Sequence, residues 1–176
     1  MASNGEQHWD SILGLVTEMK QCDEQGLMNA SLAMAFICID SLANLSRPEG
    51  KKKVTREDFK SWVENPLEGH PEQPYQYRGK DVYAARCAFL HTYGSEADLH
   101  EKDPDTLMYG YHNGGKHNYN PEVSPGLVLI GTRSFINDVV HGVESFLVQC
   151  KTDLALRKRV ESRLAHFLKA HPYPSP

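Results

Sequence analysis

The sequence has no long hydrophobic run, no paired cysteines and no excess of basic residues. Its longest apolar segment, residues 32–39, is far shorter than the roughly 20 residues that a membrane-spanning helix needs. The cysteines are widely separated without a Cys-x-x-Cys pair, as expected for reduced thiols. A net charge of −4 argues against a protein that coats nucleic acid through a general basic surface. We therefore expect a cytoplasmic protein with no membrane segment.

Common catalytic signatures are missing as well. The sequence contains no Gly-rich phosphate loop, no Gly-x-Ser-x-Gly elbow and no His-Glu-x-x-His pair. The segment Asn113-Gly114-Gly115 indicates a turn, because it lacks the strand-to-helix context of a nucleotide-binding loop. Evidence of function must therefore come from individual polar residues in otherwise apolar segments.

The periodicity of the sequence predicts a mainly helical fold, with one domain over residues 1–176. Apolar residues recur at helical spacing in residues 8–22, 28–45, 55–62, 81–94, 132–148 and 152–169. Aromatic alternation around the Asn-Gly-Gly turn predicts a small β-hairpin or ribbon insert near residues 107–130, with residues 127–130 as another strand. The expected architecture is a bundle of four to five main helices with this small β insert.

Two charged residues lie in predicted helices that are otherwise strongly apolar. Arg86 interrupts the apolar residues 82–90, and Asp40 is the one charged residue in residues 28–45. Because arginine keeps its proton and an unpaired buried charge is costly, Arg86 requires an internal carboxylate, a water-filled cleft or an anionic ligand. Arg86 then either pairs with Asp40 as a structural ion pair or holds an anion such as phosphate. The two interpretations are compatible, since a carboxylate can orient an arginine within a binding site.

A histidine, His91, follows Arg86 by five residues near the predicted end of the same helix. Five helical residues turn about 500°, so the two side chains meet only if Arg86 curls back or the helix loosens. The negative end of the helix dipole favours the imidazolium form of His91, and therefore a general-acid role. An arginine that holds a phosphate and a histidine that moves a proton would form an acid–base site.

Histidines near the Asn-Gly-Gly turn raise a metal hypothesis. A two-residue glycine turn would place His112 opposite His117 on one face of a hairpin. Two ligands do not form a zinc site, and the spacing matches no established zinc pattern. We expect surface histidines here, and neither a metal ion nor another cofactor, although a carboxylate could complete a site: Glu96, Asp98 or Asp103.

The segment from Arg86 to His91 resembles the HEPN superfamily, whose members share an arginine and a histidine separated by four to six residues. The Ile-Asp pair that ends at Asp40 and the Ala-Arg-Cys-x-x-Leu-His-Thr segment of residues 85–92 also resemble a group of uncharacterised bacterial proteins. The resemblance covers roughly residues 27–147.

This resemblance implies a helical bundle that forms a homodimer through its motif helices and, in active members, metal-independent RNA cleavage. Arg86 would hold the scissile phosphate, and His91 would act as acid or base while the ribose 2′-hydroxyl attacks. Asp40, Cys87 and Thr92 would support the site. Active members usually carry a polar residue directly after the arginine, where this chain has Cys87.

Two functions follow from these observations. One is an HEPN-like protein with an RNA- or nucleotide-directed phosphate site at Arg86 and His91, a candidate metal-independent endoribonuclease. The other is a non-catalytic helical protein that binds a ligand or partner, in which Asp40 and Arg86 form a structural ion pair.

Overall fold

The structure is a computed structural model that describes residues 6–167. In this part of the chain the elements follow in the order α1 (Glu6–Glu24), α2 (Met28–Ser46), α3 (Arg56–Glu64), α4 (Gly79–Thr92), α5 (Asp98–Lys102), β1 (Met108–His112), β2 (Leu127–Gly131), α6 (Thr132–Thr152) and α7 (Leu154–Leu164). The prediction of a mainly helical protein is confirmed, and the five longest helices correspond to the predicted main helices.

The last predicted helix, residues 152–169, differs from the structure at both ends. Helix α7 starts after Asp153, whose carboxylate accepts the backbone N–H groups of Ala155 and Leu156 at 2.9 Å. A carboxylate at this position satisfies the free N–H groups of the first turn, so a new helix begins there. Helix α7 ends at Leu164, and residues 168–169 of the prediction lie outside the described residues.

Helix α2 lies at the centre of the fold and contacts α1, α3, α4, α6 and α7. Its Phe36 is fully buried, and its ring packs 5.8 Å from Phe89 of α4 and 5.6 Å from Phe135 of α6, measured between ring centroids. By length and composition alone α2 could cross a bilayer, contrary to the expectation from its shorter apolar run, but half of it is buried inside the protein. This burial is typical of a core helix, and it brings Asp40 next to α4.

Helices α3 and α4 approach each other closely. A Cβ atom at Gly79 would lie 2.9 Å from the Cα atom of Lys60, so only glycine fits at the first residue of α4. The start of α3 is held by Asp58, whose carboxylate accepts hydrogen bonds from the backbone N–H and the hydroxyl of Thr55 at 2.7 and 2.8 Å. Helix α3 is therefore held close against α4, the helix that carries Arg86.

The predicted hairpin between residues 107 and 119 is wrong, whereas the predicted strand at residues 127–130 is confirmed. Strand β1 pairs with β2 in parallel, with Met108 opposite Leu127 and His112 opposite Gly131. The physical reason lies in the glycines. A Cβ atom at Gly131 would lie 2.7 Å from the carbonyl oxygen of Gly114, so the turn packs its backbone against the end of β2 and does not return alongside β1.

Candidate functional site

The candidate site lies where Asp40 of α2 faces Arg86 of α4. Arg86 donates to one carboxylate oxygen of Asp40 through Nε at 2.7 Å and through Nη2 at 2.6 Å. The pair is partly buried, with 22% of the Arg86 side chain and 29% of the Asp40 side chain exposed. The contact expected from the two isolated charges is therefore present, and it links α2 to α4.

Burial and ion pairing shift the pKa values of Asp40 and Arg86 in opposite directions. Burial raises the pKa of the Asp40 carboxyl, although the hydrogen bond and charge of Arg86 and the nearby His91 lower it. Burial lowers the pKa of Arg86, but Asp40 outweighs this effect and the pKa of the guanidinium is raised. Arg86 therefore keeps its positive charge and is held in place by Asp40.

His91 also contacts Arg86, because the arginine side chain curls back along the helix. The Nη1 atom of Arg86 lies 3.0 Å from the Nε2 atom of His91. A guanidinium can only donate, so Nε2 must accept and the ring proton must be on Nδ1. This contact requires a neutral imidazole, in contrast to the imidazolium form expected from the helix dipole.

The two residues differ in their access to solvent. His91 is exposed in the last turn of α4, and the helix ends at Tyr93, which adopts a left-handed conformation with φ of 56°. Arg86 is less buried than an all-apolar helix predicts, because α4 presents one side to solvent. The site is therefore open at His91 and partly buried at Asp40.

A pocket of about 350 Å³ begins at His91. It lies between α3, α4 and α5, and its lining includes Arg56, Tyr83, Cys87, Thr92 and Lys102. Arg86 itself lies beside this pocket and does not line it.

The predicted supporting residues have different surroundings. Cys87 is a half-buried free thiol on the pocket wall. The hydroxyl of Thr92 donates to the backbone oxygen of Ala88 at 2.8 Å, so it satisfies a carbonyl in the last turn of α4. Asp40 contacts the guanidinium directly through an ion pair and a hydrogen bond.

The metal hypothesis at His112 and His117 depended on the hairpin, and the structure arranges the two residues differently. His117 is only 2% exposed, so the expectation of a surface histidine is wrong for this residue. Both of its ring nitrogens are hydrogen-bonded, to the hydroxyl of Tyr77 at 2.8 Å and to the N–H of Gly131 at 3.1 Å. Among residues 6–167 no group of three potential metal ligands comes together.

A buried polar chain connects His117 to Asp138, and sequence reasoning missed it. The N–H of Gly131 donates to Nδ1 of His117, which places the ring proton on Nε2. Nε2 donates to the hydroxyl of Tyr77, and that hydroxyl donates to Asp138 at 2.8 Å. One feature of the sequence could have indicated this chain: Asp138 is a lone carboxylate on the apolar face of α6, as Asp40 is on α2.

A second polar cluster, also missed, fixes the start of α4. Asp81 is fully buried and accepts from the hydroxyl of Tyr75 at 2.8 Å, from Nε of Arg78 at 2.6 Å and from the N–H of Leu107 at 2.9 Å. The cluster ties α4 to the preceding loop and to the residue before β1. It therefore positions the helix that carries Arg86 and His91.

Comparisons with protein-family models, with curated proteins and with solved structures return no match. The resemblance to the HEPN superfamily therefore stays a prediction from the motif, and the function must be argued from the geometry of the site.

Proposed function

We propose that the protein is an HEPN-like, metal-independent endoribonuclease that acts as a homodimer, with its phosphate site at Arg86 and His91. One observation carries the proposal: an exposed histidine accepts a hydrogen bond at 3.0 Å from an arginine that a carboxylate holds in place. A fixed cation next to a neutral imidazole is the pair of groups that phosphodiester cleavage needs without a metal ion.

Asp40 determines which part of Arg86 is available to a ligand. It occupies Nε and Nη2, whereas Nη1 points to His91. A phosphate oxygen would accept from Nη1 in place of His91. Binding of the phosphate would then free the Nε2 lone pair of His91, so one event both neutralises the phosphate charge and prepares the base.

In the proposed reaction the freed Nε2 atom removes the proton from the ribose 2′-hydroxyl. The 2′-oxygen attacks phosphorus, and the bond from phosphorus to the 5′-oxygen breaks. A protonated imidazole returns a proton to that leaving oxygen, and the products are a 2′,3′-cyclic phosphate and a 5′-hydroxyl. Arg86 stabilises the negative charge that accumulates on the phosphoryl oxygens during attack.

A homodimer would supply both the base and the acid, one His91 from each subunit. Apolar side chains around the ion pair support such an interface. Ile37, 40% exposed, lies one turn before Asp40 on α2, and Leu90, which is half-buried, follows Arg86 by one turn on α4. Joining two copies through this surface would bring two Arg86–His91 pairs together. We place this activity in the cytoplasm, without a membrane association.

The alternative is a non-catalytic protein that binds a ligand or partner. The double contact of Arg86 with Asp40 favours it, because the same ion pair joins two helices of the core. In that case Arg86 would be needed for folding, and His91 would be dispensable.

Cleavage of a mixed-sequence RNA by the wild type and by His91→Ala tests the proposal, with EDTA present throughout. His166→Ala is the matched control, since His166 is also exposed but lies two residues after the end of α7. We expect cleavage by the wild type and the control, cyclic phosphate ends on the products, and loss of activity of about 100-fold or more in His91→Ala. Equal activity in His91→Ala, or no cleavage by the folded wild type, would refute the nuclease proposal.

A further inference from the structure

We propose that the pocket beside His91 binds the nucleobase next to the scissile phosphate, and that it selects guanine. The inference rests on the proposed function, because it takes the phosphate at Arg86 and His91 as its starting point. A volume of about 350 Å³ falls within the range of small-molecule sites, roughly 300–1,000 Å³.

The position of the pocket suits a base attached to the ribose that reacts. His91 and Thr92 form its end nearest the ion pair, and the pocket extends from there towards α5. A ribose placed with its 2′-hydroxyl at His91 would direct its base into this space. Phosphate and base would therefore be held by adjoining parts of the same surface.

One wall of the pocket is formed by an arginine that lies above an aromatic ring. The guanidinium carbon of Arg56 lies 5.5 Å from the centroid of the Tyr83 ring, above its face. Phe59 packs edge-on against Tyr83, with the ring centroids 5.3 Å apart, so the wall is held from behind by the core. Aromatic rings and guanidinium planes are the groups on which proteins stack unpaired RNA bases.

The acidic residues in the pocket lining indicate which base it takes. Glu96 and Asp98 belong to this lining, and both side chains are exposed. Carboxylates accept hydrogen bonds and cannot donate them. Guanine presents two adjacent donors, N1–H and the 2-amino group, whereas adenine and cytosine present one donor beside an acceptor that a carboxylate would repel.

A lysine completes the charge pattern of the pocket. Lys102, in the last turn of α5, also lines it and can contact a phosphate of the same strand. The acidic pair would therefore accept from the donor edge of the base, Arg56 would stack on the base, and Lys102 would contact the backbone. A single-stranded guanine nucleotide matches this arrangement better than a duplex, in which the donor edge of guanine is already paired.

Direct binding of the four nucleoside 3′-monophosphates tests the pocket independently of cleavage. Titrations of the wild type, of the double variant Glu96→Gln/Asp98→Asn and of the control Glu101→Gln would be followed by NMR of the His91 and Tyr83 side chains. Glu101 is an exposed carboxylate on α5 that does not line this pocket. We expect GMP to bind the wild type and the control about tenfold more tightly than AMP, CMP or UMP.

The double variant should lose this preference, while the control Glu101→Gln should retain it. In cleavage of oligonucleotides that contain one ribonucleotide each, the double variant should raise KM for the guanosine substrate without a comparable change in kcat. Equal binding of all four nucleotides by the wild type, or an unchanged GMP preference in the double variant, would overturn the inference. Selective GMP binding without any cleavage would support the pocket and refute only the nuclease proposal.

Discussion

Two histidines of this protein are each connected to an aspartate through one intervening side chain, but one histidine is exposed to solvent and the other is buried. His91 contacts Asp40 through Arg86, and His117 contacts Asp138 through Tyr77. The first chain reaches the surface at an exposed imidazole, whereas the second is sealed, with His117 only 2% exposed.

The connecting residue explains the difference between the two chains. A guanidinium is permanently charged, so the Asp40 chain is stable only near the surface, where water and a carboxylate share its charge. A phenol is neutral and can both donate and accept, so the Tyr77 chain satisfies its neighbours inside the core. Burial raises the pKa of Tyr77 well above its usual value, with Asp138 adding to the effect. His91 can therefore exchange partners, whereas His117 can do so only if the core opens.

The largest expected effect is the loss of stability when His117 is replaced by alanine. The substitution leaves a cavity. It also removes one hydrogen-bond partner of the Tyr77 hydroxyl and the acceptor of the Gly131 N–H. Together these losses should lower the free energy of unfolding by about 3 kcal/mol. His91→Ala should change it by less than about 0.5 kcal/mol, because the side chain is exposed. Urea unfolding measures both, and equal losses would contradict the distinction between the two histidines.

The second prediction concerns the loss of folding stability at low pH. Burial is the main cause that lowers the pKa of His117 to about 4, with the charge of His112 adding to it. The unfolded chain binds this proton below its ordinary pKa of about 6.5, so the stabilisation is complete above that pH and is lost as the pH falls towards 4. The loss should reach about 3 kcal/mol.

The substitution His117→Gln isolates this contribution. Asp138 acts in the opposite direction, because burial raises its pKa and its protonation favours the folded state as the pH falls, but it is present in both proteins. Unfolding followed between pH 4 and 7 should therefore give a flatter curve for the variant than for the wild type. Parallel curves would show that His117 does not control the acid response.

A smaller effect is expected at the ion pair. Asp40→Ala removes the carboxylate from a partly buried arginine and should cost about 1–2 kcal/mol, between the values for exposed and buried pairs. Arg86→Ala should behave similarly, and a double-mutant cycle should give a coupling energy of about 1 kcal/mol. Coupling close to zero would mean that the contact does not hold α2 and α4 together.

The smallest effect is a change in proton position. In the neutral rings His91 carries its proton on Nδ1 and His117 on Nε2. Nitrogen-15 shifts of the two rings at alkaline pH should therefore show opposite patterns. In Arg86→Ala the pattern of His91 should move away from the Nδ1–H form while that of His117 stays unchanged. The same form for both rings in the wild type would refute the Arg86–His91 contact.

The main helices could be predicted because helical periodicity is a local property of the sequence. The contact between Asp40 and Arg86 could be anticipated, although the residues are 46 positions apart, because each is an isolated charge in an apolar helix. The hairpin could not be excluded, since glycines that permit a tight turn also permit the close approach of Gly114 to Gly131. The chain from His117 to Asp138 joins a loop, a second loop and a helix, so no local pattern reveals it.

The amino-acid sequence by itself determined the helical class of the protein, the positions of its main helices and the need of Arg86 for a negative partner. These follow from residue spacing and from the cost of burying a charge. Only the tertiary structure decided that Arg86 curls towards an exposed His91, that β1 and β2 run in parallel and that His117 is enclosed with Tyr77 and Asp138. The reason is that hydrogen bonds between distant segments depend on how the helices pack.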